Sequence, residues 1–149
     1  MTSSGDLARA EEIHAAWEPF RPVWSNILSV GSGTSVGFWR RCGPQAIEVA
    51  ASLTWGSDTD TPLPGNPFGL FLPDRLVGDS SVVQIVPAMA VDVSAGRAYA
   101  GRALVESSGS AQVLSPIHGG TGGEWDEDSP MTWAEGDILV VQGLVRVTT

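Results

Sequence analysis

The sequence predicts an all-β fold: one antiparallel β-sandwich of about eight strands, jelly-roll-like, preceded by a short N-terminal α-helix. Three observations predict it. Beyond Pro22 the chain runs in short stretches rich in Val, Ile, Trp and Thr, broken by Gly, Pro, Ser and Asp roughly every ten residues. Within Ala46 to Trp55, Ile47, Val49, Ala51, Leu53 and Trp55 alternate with the other row without a break, the period of a strand with one dry face. The helical period is confined to the N-terminus.

There, Leu7, Ala10, Ile13, Trp17 and Phe20 fall three or four residues apart, which predicts a helix over Asp6 to Glu18 with an aromatic stripe. Ser4 or Asp6 can cap its first amides, and Pro19 disfavours helical geometry at Glu18. A helix this short needs a docking surface. Leu7, Ile13, Trp17, Phe20 and, beyond the helix, Trp24 are therefore the candidate assembly residues, resting either on the chain's own sheet or on a neighbouring subunit. Residues 1–22 read as an attachment segment and residues 23–149 as the β domain.

The strands are expected at Val23 to Leu28, Ser35 to Arg41, Ala46 to Trp55, Phe68 to Leu72, Val82 to Val93, Arg97 to Glu106, Ala111 to Ser115 and Ile138 to Val147. Ser94-Ala95-Gly96 reads as a hairpin connection with glycine supplying a positive φ. Pro87 marks an edge or a break, because proline gives the ladder no donor. Two connections are long: Ser57 to Pro67, with three prolines, and His118 to Pro130, with four glycines and four acids. No internal repeat or interdomain linker is visible.

Composition narrows the function. The 149 residues carry a net charge of −9 with no lysine, so no basic stripe can track phosphates and nucleic acid is not an expected partner. Only 17% of residues are charged, fewer than a typical domain carries, which points to surface covered by other chains. Cys42 stands alone, so no intrachain disulfide is possible, and it reads as a small buried apolar residue. The N-terminus lacks the pattern of a secretory signal and no apolar run is long enough to span a bilayer, so synthesis in the cytoplasm without membrane insertion is expected.

Catalytic chemistry finds no anchor. His14 and His118 are too few for a histidine-rich metal site, and no nucleophile elbow, Walker loop or Cys-His spacing occurs, so neither enzymatic activity nor a cofactor is expected. Glu124, Asp126, Glu127 and Asp128 beside glycine-rich backbone have the oxygen-rich composition calcium prefers without EF-hand spacing, and a solvated acidic loop is the alternative. Trp125, an indole within that polar loop, is the candidate surface-recognition residue. Trp24, Trp39, Trp55 and Trp133 sit at patterned positions and read as core or subunit interface.

Several short motifs follow one another in order: Gly37-Phe38-Trp39-Arg40-Arg41-Cys42-Gly43; an alternating strand closed by Trp55-Gly56-Ser57; Leu72-Pro73; a hairpin from Asp92 to Tyr99 and Gly101; and Ser129-Pro130-Met131-Thr132-Trp133-Ala134-Glu135-Gly136-Asp137-Ile138. Together they resemble the carboxy-terminal domains of minor tail proteins of bacteriophages that infect actinobacteria, over about Trp24 to Val147. The Phe38-Trp39 pair, the proline-rich Thr61 to Pro67 and the N-terminal stripe depart from that pattern. The resemblance implies a non-enzymatic virion component of the tail, a homo-oligomer and most plausibly a trimer, that contacts other virion proteins and contributes to host attachment. A capsid decoration protein and a carbohydrate-binding module holding a host glycan through Trp125 are the alternatives. A trimeric jelly-roll nucleotide pyrophosphatase is a more distant one, because Asp92 and Tyr99 are separated by a turn. Independently of the resemblance, the Gly136-Asp137 pair reads as a turn whose aspartate bonds nearby amides and launches the last strand.

Overall fold

The computed structural model describes residues 15–61, 65–108, 111–118 and 123–148. Nine strands are present: β1 (Glu18–Phe20), β2 (Trp24–Ser25), β3 (Thr34–Arg41), β4 (Ala46–Thr54), β5 (Gly69–Phe71), β6 (Ile85–Asp92), β7 (Arg97–Ser108), β8 (Ala111–His118) and β9 (Ile138–Arg146). All eight expected strands occur within a few residues of their expected ends. Hydrogen bonding joins the nine into one antiparallel sheet in the order β1-β3-β4-β9-β6-β7-β8-β5-β2, curled into a half-barrel, where the sequence suggested two stacked sheets.

The curl follows from connectivity. Laid flat, nine strands would hold the two edge strands about 38 Å apart. Yet the edges, β1 and β2, are joined by Arg21-Pro22-Val23 alone, a link that reaches about 14 Å when fully extended. The sheet must bend until its edges meet. Across the enclosed space the Trp24 indole N–H of β2 donates to Ser35 Oγ of β3 at 3.0 Å.

The N-terminal expectation needs correction. Glu18–Phe20 is a strand paired with Gly37 to Trp39, and Ala15 to Trp17 is not helical, so the expected helix does not reach Glu18. Three apolar residues at helical spacing mislead here because Pro19 favours extended backbone and β3 offers a free edge. The sheet thus begins inside the segment 1–22 that was expected to stand apart. Leu7, Ala10, Ile13 and His14 lie outside the described residues.

The concave face holds the core. Ile47, Val49 and Leu53 of β4, Leu139, Val141 and Val145 of β9, Val86 and Ala90 of β6 and Leu70 and Leu114 of β5 and β8 are buried together. At one end of the barrel Trp55 stacks on Trp133 with ring centroids 4.1 Å apart, and Phe68 packs against both at 5.8 Å. Closure also needs glycine at 37, since a Cβ there would lie 2.6 Å from the Phe20 ring and 2.7 Å from Pro22.

Asp137 locks that same end. Its carboxylate, 1% exposed, accepts the Val93 amide at 3.0 Å and the Ala134 amide at 2.8 Å, while its backbone carbonyl accepts the Trp55 amide. One side chain therefore ties the start of β9 to the β6–β7 hairpin. Gly96 adopts φ 63° in that hairpin, whose turn runs Val93 to Gly96, one residue longer than expected. Asp92 Oδ1 caps it, accepting from the Ala95 amide and the Ser94 hydroxyl.

Those bonds hold Asp92 below the usual carboxylate range, and the Ser32 hydroxyl and amide do the same for Asp58. A folded-state pKa below the unfolded value means stabilisation that is present above the ordinary aspartate range and is lost as the pH falls through the folded value. The melting temperature is expected to drop as acid passes below about pH 4, with a shallower drop in Asp58→Asn and Asp92→Asn, as followed by circular dichroism. Asp137→Ala, which leaves two amides without an acceptor, is expected to cost about 2–4 kcal/mol in chemical denaturation. Gly37→Ala is expected to cost about 1–3 kcal/mol by overpacking against Phe20.

Candidate assembly surface

Strands β3, β4, β9 and β6 lie side by side, and their outward rows form the convex face. An antiparallel sheet with one wet face normally turns polar side chains outward. This one does not. The register sets Val36 opposite Ser52, Ser52 opposite Val140 and Val140 opposite Met89, a line across four strands with one hydroxyl and no charge. Beside it Phe38 faces Ala50 and Ala50 faces Gln142. Val36, Phe38, Met89 and Leu144 are 41, 42, 45 and 56% exposed, too much apolar surface to be incidental on one face.

Two depressions cut this face. The larger, about 510 Å³, is lined by Trp17, Pro87, Met89, Val140 and Leu144 among others, and the smaller, about 240 Å³, by Val36, Phe38, Ala50, Val140 and Gln142. The larger one lies at a break in the ladder. Pairing of β6 with β9 covers Ala88 to Val91 and stops at Pro87, which has no N–H to give. Opposite the gap, Gly143 contributes no side chain, and a Cβ there would lie 2.8 Å from Val86 and 3.1 Å from Pro87. Past the gap the Gln84 side chain stands in for backbone, donating to the Arg146 carbonyl at 3.0 Å and accepting the Arg146 amide at 2.7 Å. The expectation of an edge or a break between two strands needs correction: β6 is central and runs unbroken through Pro87, which pairs with Arg102 of β7, and only the pairing with β9 stops there.

Charge on this face is paired: Arg146 at the end of β9 meets Asp79 at 3.3 Å, and Arg40 of β3 meets Glu48 of β4. Arg40 Nε donates to Glu48 Oε2 at 3.0 Å, with a second guanidinium nitrogen at 2.9 Å, and the Trp17 ring lies 4.7 Å from the Arg40 guanidinium carbon. The remainder of the convex face offers shape and apolar contact.

Of the sequence candidates among the described residues, Trp17 alone joins this surface, at 40% exposure on the wall of the larger depression. Phe20 packs on the core from β1, and Trp24 is a buried core residue. Trp125 requires a correction: it is fully buried, its indole lying over Gly101, where a Cβ would sit 2.5 Å from the ring. Its amide donates to the Pro116 carbonyl and its carbonyl accepts the Phe68 amide. A polar neighbourhood in sequence is therefore a lining of the barrel end in space, and the Trp125 indole is not presented for stacking on a sugar. The Trp125 Nε1 group is buried without a hydrogen-bond partner.

The acidic residues around it do not converge. Asp126 spends one carboxylate oxygen on the Asp128 amide at 2.9 Å and the other on the Gly65 amide at 3.3 Å, a turn-stabilising use. Among the described residues no three His, Cys, Asp or Glu side chains gather as a metal site, and Glu124, Asp126, Glu127 and Asp128 do not form one. Among the described residues no helix is long and apolar enough to cross a membrane.

Val36, Phe38, Met89, Val140 and Leu144 were not among the candidates from sequence. Their signal was the failure of alternation: Ile138-Leu139-Val140-Val141 and Ile85 to Val91 are apolar or small in both rows except at their ends. No family model, curated protein or solved structure matches the chain.

Proposed function

We propose that this protein is a non-enzymatic structural module that works by self-association through the convex face of its sheet. The observation that carries the reading is the uncharged line Val36–Ser52–Val140–Met89 across four adjacent strands, exposed at Val36 and Met89 and half-buried between them. Apolar surface of this kind is stabilised by burial against a partner at about 25 cal/mol per Å², before the cost of association is subtracted. The shared depression beneath Phe38 and Val140 supplies relief into which a neighbour's side chains fit.

The resemblance to minor tail proteins of actinobacteriophages supplies the setting: a symmetric oligomer, a trimer by analogy, built into or onto a phage tail. That placement rests on motifs, and a decoration protein on the capsid would use the same face in the same way. The carbohydrate-binding alternative loses its motive with Trp125 inside the barrel.

Light scattering of the purified protein tests the reading directly. The wild-type chain is expected to run as an oligomer, and Val140→Glu, which places a carboxylate at the centre of the line, is expected to dissociate it at least tenfold more readily, since truncating or mispairing a central contact typically exceeds about 1.4 kcal/mol. A monomer at every concentration, with no incorporation into particles, would overturn the proposal.

A further inference from the structure

The antiparallel order sends the β4–β5 and β8–β9 connections to one end of the barrel and the β5–β6 and β7–β8 connections to the other, and the two ends differ in charge. Asp58, Asp60, Glu124, Asp128 and Glu135 are exposed in the connections of the first end. Towards the second end Arg146 is paired with Asp79, whereas Arg21 and Arg75, both exposed, have no hydrogen-bond or ion-pair partner among the described residues. Those two arginines line one groove beside the strap that joins β1 to β2. Phe20, Val23 and Phe71 supply apolar lining, and the volume of about 510 Å³ lies within the range of about 300–1,000 Å³ of sites that hold a small ligand. Asp74 is the groove's one acid, so two positive charges stand against one negative. Asp74 and Arg75 both adopt left-handed backbone, φ 53° and 54°, which is costly for residues with a Cβ and concentrates where side chains are set in place for use.

We infer that this groove seats a second copy of the chain, which inserts the turn Asp126–Ser129 from its acidic end. The turn is preformed. The Asp126 and Ser129 amides each donate to the other's carbonyl, at 3.1 and 3.3 Å, and Asp126 Oδ1 accepts the Asp128 amide at 2.9 Å. Its tip therefore presents Glu127 and Asp128 at little further ordering cost. A guanidinium binds a carboxylate through two parallel N–H···O bonds, stronger than bonds between neutral groups. The chain thus carries at one end the complement of its other end. Two copies of net charge −9 repel at long range, but at 0.15 M salt that repulsion is screened beyond about 8 Å, which leaves the contact pairs to act. Because the two faces are different surfaces, the contact is heterologous and repeats head to tail, into a ring or a filament rather than a closed dimer. It leaves the convex face free, so it stands or falls separately from the contact proposed there.

The test is made in the full chain carrying Val140→Glu, which weakens the convex-face contact. Sedimentation velocity at 0.15 M salt is expected to show concentration-dependent association, several-fold weaker in 1 M salt, where the screening length is about 3 Å. Arg21→Glu with Arg75→Glu, and separately Glu127→Arg with Asp128→Arg, are each expected to weaken that association at least tenfold, because like charges then face each other. None of these side chains holds the fold through a hydrogen bond, and circular dichroism checks that both variants are folded. Mixed in equal amounts, the two variants are expected to recover the association. Both remain negative overall, so bulk attraction does not imitate this recovery. A Val140→Glu chain that stays monomeric, charge reversals without effect, or a mixture that stays dissociated overturns the inference. Failure of the convex-face reading shows differently, as a Val140→Glu chain that associates no more weakly than the wild type.

Discussion

The structure depends on a short covalent strap. Arg21-Pro22-Val23 joins the two outermost strands of a nine-stranded sheet, and so few residues cannot bridge a flat one. Bending places one face inside, where Trp24 reaches Ser35 across the interior and the rows from β4, β9 and β6 pack with Leu70 and Leu114. The strap also explains Gly37, the one position of β3 where the ring of Phe20 and the ring of Pro22 approach closer than a side chain would allow. Both edges of the sheet are short, with three and two residues, and each is occupied by the chain that connects them, which leaves little edge for uncontrolled pairing.

At the far end of the barrel a different economy operates. Two connections meet there, Trp55 and Phe68 from the one between β4 and β5 and Trp125, Trp133 and Asp137 from the one between β8 and β9: Gly136 donates to Trp55 and Trp55 to Asp137, while the Trp133 indole donates to the Asp126 carbonyl within its own connection. The long acidic connection is thereby tethered to the core by its aromatic side chains. Several pieces of the phage-tail resemblance, Gly37, Gly101 and Gly136-Asp137, are parts of this framework: a seat for Phe20, a seat for Trp125, and the turn before β9. They speak for architecture. The case for assembly rests instead on the convex face, which those motifs touch only at Phe38.

That face is unusual for a physical reason. Strands buried on both sides read as continuous apolar runs, and β6 and β9 have that character although, among the described residues, only their concave side is covered. The low charge content of the whole sequence shows here: the outward rows of the four central strands carry three charged residues, Arg40 and Glu48 paired with each other and Arg146 paired with Asp79.

Much of this protein was legible from residue order. Period-two alternation located β4 to the residue at its start, and the turn chemistry of Gly96 and of Gly136-Asp137 placed the hairpin and the launch of β9, because each of these depends on a residue and its near neighbours. Tertiary structure alone decided the rest. Whether eight or nine strands form one sheet or two depends on which strands pair across long separations in sequence. Glu18 to Phe20 became a strand because β3 lay free beside it. Trp125 is inside because Gly101, a residue of β7 far from it in the chain, leaves room for an indole. Which outward rows line up into an apolar band follows from the register of β3, β4, β9 and β6, and a register belongs to a pair of strands rather than to either one.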